Sequence, residues 1–163
     1  MNEKQKTIKK PITLEGKGLH TGIHVQLTFK PAPENFGYRF QRIDLEGKPV
    51  IQAVAEYVVG TSRGTTIEKD GVKIATIEHV LSAIYGLGID NILIEINGPE
   101  VPIMNGSSIR FVEAILEAGI EEQESEKNYF EIKEEIRYSD DDRNSEIVIY
   151  PDDHLNINVL VVY

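Results

Sequence analysis

Glu78 and His79 stand next to each other in Thr76-Ile-Glu-His79, a carboxylate and an imidazole able to share one water molecule. A histidine can hold a divalent metal, and a neighbouring glutamate can take the proton of a water molecule there, because ligand and base must reach the same point. The familiar zinc-hydrolase spacings are not met. His-Glu-x-x-His is absent, and His-x-x-Glu-His would need a histidine where Ala75 stands. A plainer reading makes Glu78 a carboxylate favoured by a helix dipole and His79 a partly exposed helix residue. Spacing leaves both readings open. There is no cysteine, so thiolate metal sites and a disulfide framework are excluded.

Two further stretches invite a chemical reading. Gly16-Lys-Gly-Leu-His-Thr-Gly22 is a glycine-rich loop that carries His20. A dinucleotide fingerprint must open a helix, whereas the residues that follow, His24 to Phe29, alternate as a strand, and the third glycine is one place too far on. On its own pattern His20 reads as a turn residue. Gly60-Thr-Ser-Arg-Gly64 matches the Gly-x-Ser-x-Gly nucleophile elbow, which requires a helix directly after the serine. Here Thr65 to Glu68 and Val72 to Ile74 read as a hairpin about an Asp70-Gly71 turn. The match is therefore accidental, and the loop fits better as the lining of a cleft.

The elements that must position these residues follow from periodicity. Thr76 is a candidate helix N-cap, and Ile77, Val80, Leu81, Ile84 and Leu87 form one apolar stripe. The other face, His79, Ser82, Ala83 and Gly86, is small or polar and leaves room in front of His79. Gly86 and Gly88 end this helix. A buried strand follows (Asn91 to Asn97), then a Pro/Gly loop (Gly98 to Gly106). A second helix starts near Ser107 or Ser108 and ends at Gly119, with Ile109, Val112, Ile115 and Leu116 on one side and Phe111 beside them. Upstream, residues 5–14, 24–29, 37–43 and 50–59 read as strands. The order of strands, helix, strand, helix predicts an α+β domain, a two-layer sandwich whose largely antiparallel sheet is covered on one face by two helices.

Several of these stretches together resemble the UDP-3-O-acyl-N-acetylglucosamine deacetylase family, the zinc amidases of lipid A synthesis. They are Thr76-Ile-Glu-His-Val-Leu-Ser-Ala-Ile-Tyr-Gly-Leu-Gly-Ile-Asp-Asn91, Glu100-Val-Pro-Ile-Met-Asn-Gly-Ser-Ser108, Gly16-Lys-Gly-Leu-His-Thr-Gly22, Pro31-Ala-Pro33 and Thr61-Ser-Arg-Gly-Thr65. The resemblance runs from about Thr7 to the C-terminus. It implies His79 as a zinc ligand, Glu78 as general base and His20 near the active site, with Thr61, Ser62 and Thr65 lining the substrate cleft. It implies a UDP-linked acylated glucosamine as substrate. Two departures stand out. Asn105 occupies a position where many members carry Asp, and the His-x-x-x-Asp motif that supplies the family's other two ligands is absent from these residues. Those ligands are expected beyond residue 163, and the 163 residues alone are expected to be inactive. The competing readings are a non-catalytic α+β binding domain with His79 idle, and a serine hydrolase using Ser62 with His79 or His154 as base.

Charge divides the chain. Residues 1–120 carry 13 basic and 14 acidic side chains, and residues 121–163 carry 4 basic and 13 acidic. An acidic excess of this kind excludes a nucleic-acid partner, whose phosphates demand a basic face. The basic N-terminus lacks the apolar segment of a signal peptide, and no run is long enough to span a membrane, so the expected compartment is the cytoplasm. Residues 1–120 are predicted as the first domain and 121–128 as a polar linker. Residues 129–163 are predicted as three strands (129–138, 145–150 and 155–163) that begin a second α+β domain, a partner of the first within one enzyme.

Overall fold

The computed structural model describes residues 3–161. The chain divides into two compact units, Met1–Lys127 and Asn128–Tyr163. In the first, β1 (Lys4–Ile8) and β2 (Ile12–Lys17) replace the single strand predicted over 5–14. Lys9, Lys10 and Pro11 separate them, proline having no N–H to give to a ladder. There follow β3 (His24–Pro31), β4 (Tyr38–Arg42) and β5 (Val50–Gln52). The strand predicted over 50–59 stops early. A single helical turn, Ala55–Tyr57, re-aims the chain into β6 (Val58–Gly60), which belongs to another sheet. Next come β7 (Thr66–Lys69), β8 (Val72–Ile74), α1 (Glu78–Gly86), β9 (Ile92–Ile96), α2 (Ile109–Ala118) and β10 (Ile120–Glu126).

The main sheet has the order β2-β3-β9-β4-β5, antiparallel except for the parallel pair β4 and β9. Its register sets Leu27 beside Ile96, Phe29 beside Ile94, and Phe40 beside both Ile94 and Ile51, so one face collects the apolar side chains. All of these are at most 1% exposed. Burial of each such side chain contributes roughly 1.5–3 kcal/mol. The helices supply the second layer: Phe111 meets Phe29 edge to face, with centroids 6.4 Å apart. The fold is α+β, as the order of elements predicts.

The helices differ from expectation in which residues they bury. In α1 the stripe of Ile77, Val80 and Ile84 is buried, and so is Ala83, expected on the open face. Of the predicted small face, Ser82 and Gly86 are exposed. Ala83 joins the buried core, and α1 is tied to the neighbouring α2 by the Ser82 and Ser108 hydroxyls. The helix ends in a Schellman motif, Ile89 N–H to the Ile84 carbonyl and Gly88 N–H to that of Tyr85. In α2 the buried residues are Phe111, Ala114, Ile115 and Ala118, whereas Ile109 and Leu116 are exposed. The aromatic ring fixes the rotation of the helix, and the small alanines let it approach.

Residues 121–128 are not the predicted linker. β10 pairs antiparallel with β1, and the first unit therefore extends to Lys127. The stretch looked like a linker because its inward side chains are polar: Gln123 bonds the Ala32 carbonyl and Asn91, and Ser125 bonds Glu34. Hydrogen bonds replace apolar contacts there.

The second unit is a hairpin of β11 (Ile136–Asp140) and β12 (Ser145–Ile149). Of the strand predicted over 129–138, only the part from Ile136 is in a strand. Residues 155–161 of the third predicted strand are not in a strand, and Val162 and Tyr163 lie outside the described residues. Neither segment has a strand beside it to pair with among the described residues. No helix among them is long and apolar enough to cross a membrane.

Candidate functional site

Glu78 and His79 occupy the first turn of α1, as expected, but Thr76 does not cap it. Ile77 holds the N-cap position without a side-chain bond. Thr76 is 2% exposed and has φ 60, a left-handed backbone that β-branched residues rarely adopt. Its hydroxyl donates to Glu100 Oε1 at 3.0 Å. The sharp turn it makes carries the chain from Ala75, bridged to Glu100, directly into the helix.

The Glu78 side chain is 38% exposed and that of His79 28%, with His79 Nε2 4.0 Å from Glu78 Oε1. Glu78 Oε2 accepts the Thr65 amide at 2.8 Å. That bond fixes one carboxylate oxygen and leaves the other on the side of the imidazole. Among the described residues no hydrogen bond engages the His79 ring. Gly64 passes so close that a Cβ there would lie 3.1 Å from Glu78 Oε1.

The glycine loop forms the opposite wall. Gly18 N–H bonds the Ile23 carbonyl and Gly22 N–H bonds that of Gly18, closing a turn with His20 exposed at its tip. His20 Nε2 lies 3.0 Å from the Arg63 carbonyl oxygen; a carbonyl only accepts, so this bond needs the proton on Nε2. A groove of about 270 Å³ adjoins the glycine loop, lined by His20, Gly60, Ser62, Arg63, Gly64 and Thr76 among others, with Glu78 and His79 outside its lining.

Glu100, from the loop after β9, ties the two walls together. It is 0% exposed. Oε1 accepts from His20 N (2.9 Å) and Thr76 Oγ1 (3.0 Å), and Oε2 from Thr21 N (2.8 Å). Burial works to raise its pKa, but the His20 and Thr21 amides and the Thr21 and Thr76 hydroxyls outweigh it and hold the carboxyl below its ordinary value of 4.5. Periodicity singled out neither Glu100 nor the left-handed Thr76. The sequence signals for Glu100 are its place at the head of the Glu100–Ser108 motif and a carboxylate set among Pro99, Val101 and Pro102; its partners His20, Thr21 and Thr76 lie 80, 79 and 24 residues away.

Of the residues predicted for the site, Glu78 lies beside His79 and accepts the Thr65 backbone amide, while His20 reaches the Arg63 carbonyl two residues before Thr65. Ser62 lines the groove, exposed, and β7 rather than a helix follows it, so the nucleophile-elbow geometry is absent. Thr61 is exposed and outside the groove lining. His154 bonds its own segment, with Nδ1 3.6 Å from Asp152 Oδ1. Asn105 accepts from Ser107 N and Oγ and starts the turn into α2, a task that needs no charge. Among the described residues no three of His, Asp and Glu converge as a metal site.

The profile of the family described as UDP-3-O-acyl N-acetylglycosamine deacetylase matches residues 5–163. A bifunctional enzyme LpxC/FabZ of Bacteroides thetaiotaomicron is 51% identical over 160 residues, 98% of this chain and 35% of the relative. A UDP-3-O-acyl-N-acetylglucosamine deacetylase of Myxococcus xanthus is 43% identical, covering 96% of this chain and 49% of the relative. One of Haemophilus ducreyi is 47% identical, covering 90% and 48%. The chain thus spans between about a third and a half of the length of these relatives.

Proposed function

The chain belongs to the UDP-3-O-acyl N-acetylglycosamine deacetylase family, and from that premise we propose that it is the N-terminal part of a zinc-dependent amidohydrolase. The substrate is UDP-3-O-(3-hydroxyacyl)-N-acetylglucosamine, whose acetamide is cleaved to a free amine and acetate on the route to lipid A. The observation that carries the reading is the pair at the head of α1, a partly exposed carboxylate held on one oxygen and, 4.0 Å from its other oxygen, an imidazole whose ring makes no hydrogen bond among the described residues.

A zinc ion fits this chemistry in part. His79 offers one free imidazole nitrogen, a suitable ligand, and two further protein ligands would come from chain outside these 163 residues. When bound, zinc would supply Lewis-acid polarisation of the amide and lower the pKa of water toward about 7. Glu78 accepts the proton of the attacking water on Oε1, while the Thr65 amide keeps its other oxygen in place. His20 and Arg63 close one side of the groove, where the Ser62 hydroxyl, with Thr61 at its edge, offers hydrogen bonds to the substrate. Residues 129–163 begin a second domain.

In the full-length enzyme, Glu78→Gln keeps the shape and the Thr65 bond but cannot take a proton. Zinc content should stay at the wild-type level while turnover falls ~10²–10⁴-fold. Near-normal turnover with zinc retained would remove Glu78 from this role. Ser62→Ala should leave turnover within a few fold, and its abolition would favour a serine hydrolase instead. The 163-residue chain, titrated calorimetrically with zinc, should bind it weakly and hydrolyse nothing; tight binding that disappears in His79→Ala, together with turnover, would make the site complete within this chain.

A further inference from the structure

Glu100 presents a problem the deacetylase reading leaves unsolved. A carboxylate with no exposed surface is costly to keep charged, and every donor it receives is neutral: two backbone amides and the Thr21 and Thr76 hydroxyls. The fold makes way for it. A Cβ on Gly18 would overlap Glu100 Oε2 and the Thr21 hydroxyl, so only glycine fits there. An apolar side chain could fill the same space at lower cost. The carboxylate does something an apolar group cannot: where the backbone bridges Gly18–Pro102 and Ala75–Glu100 bring these parts of the chain alongside, its two oxygens bond the His20 turn and Thr76 at once.

One part is the His20 turn, whose ring reaches across to the Arg63 carbonyl. The other is Thr76, fixed in its left-handed conformation two residues before Glu78. From Arg63 the chain runs directly to Thr65, whose amide holds Glu78. A closed circuit results: Glu100 to His20, His20 to Arg63, Thr65 to Glu78, and back through Thr76 to Glu100.

We infer that Glu100 is a positioning residue of the deacetylation site, clamping the His20 loop and Thr76 so that Glu78 and His79 take a single arrangement at the head of α1. The inference rests on the deacetylase reading. Glu100 touches no reacting atom. Its effect belongs in kcat through Glu78, and it depends on the loop that holds His20.

The test uses the full-length enzyme, with Glu100→Gln and Thr76→Val. In Glu100→Gln one oxygen becomes an NH₂ group that faces donors instead of accepting from them. Thr76→Val keeps the shape and branching and removes only the hydroxyl. With zinc content unchanged, Glu100→Gln should lower kcat ~10–100-fold with KM within about threefold, the loss typical of a reacting group displaced by about an ångström. Thr76→Val should lower kcat by roughly threefold to tenfold on the same ground. Combined with His20→Ala, the Glu100→Gln loss should be less than additive, because both act on one loop. The second readout is independent of turnover. The Thr65 amide resonance, which reports the Glu78 carboxylate, should shift in both variants along with those of His20 and Thr21. If Glu100→Gln does not fold, Thr76→Val decides alone. An unmoved Thr65 resonance, or a folded variant with kcat within about twofold of wild type, would overturn the inference. A wild-type enzyme without deacetylase activity overturns the functional reading instead, and the Thr65 resonance still answers for the clamp.

Discussion

Two stretches of this chain follow the same alternating pattern and end in opposite states. In Met1–Lys127, register on β3, β9 and β4 gathers Leu27, Phe29, Ile94, Ile96 and Phe40 on one face, and each is 0% exposed. In Asn128–Tyr163, register pairs Ile136 with Ile149 and Tyr138 with Ile147, again on one face, yet these side chains are 42–64% exposed. None of residues 128–161 is buried. Pairing strands selects which face is apolar, but burying that face takes a second layer. Two helices provide it in the first unit. The second is a two-stranded hairpin, which by itself is marginal in water.

The widest gap between the units should appear on deleting a phenyl ring from each. Phe111→Ala removes the ring that packs edge to face on Phe29 inside the first core, and should cost about 3–5 kcal/mol in urea unfolding of that unit. Phe130, 86% exposed, is the matching deletion in the second. A comparable loss there would mean that residues 128–161 have a core of their own.

A smaller difference concerns acid. Glu100, and Asp44 beside the Arg42 guanidinium, are both held below their ordinary values, Asp44 by the hydrogen bonds from Arg42. A depressed carboxyl favours the folded state fully above its unfolded pKa. That contribution is lost as pH falls from about 4.5 through the folded pKa. The melting temperature of the first unit should therefore fall below pH ~4.5. Glu100→Gln should cost about 1–3 kcal/mol at neutral pH through donors left unpaired, and the acid-dependent slope should become shallower. An identical slope in wild type and variant would assign the acid sensitivity to other groups.

The smallest effect is Phe130→Ala itself, expected within about 0.5 kcal/mol of zero. Hydrogen exchange gives the same contrast without mutation. Amides of β9, paired on both edges, should exchange only on global unfolding, and those of β11 by local opening. Equal protection in β9 and β11 would erase the distinction between the two units.

The site was legible to the extent that its chemistry is local. Glu78 and His79 are neighbours in the sequence, the glycine loop marks its own turn, and the Asp70-Gly71 hairpin announces itself by residues that accept positive φ. Thr76 is not legible, because a threonine before a helix is usually its cap, and nothing nearby in sequence shows that its hydroxyl belongs to a carboxylate 24 residues on. Residues 121–128 are not legible as a strand, because strand periodicity is carried by apolar residues, and here Gln123 and Ser125 face inward on hydrogen bonds.

By itself the sequence determined the α+β class, the helix that carries Glu78 and His79, and the family, since these depend on periodicity and on motifs read in order. Tertiary structure decided the rest: which carboxylate is buried, that Thr76 is left-handed, that His20 reaches Arg63, and that β10 closes on β1. Each of these depends on a partner far along the chain. A hydrogen bond between distant residues leaves no period in the sequence, because its geometry exists only once the chain has folded around it.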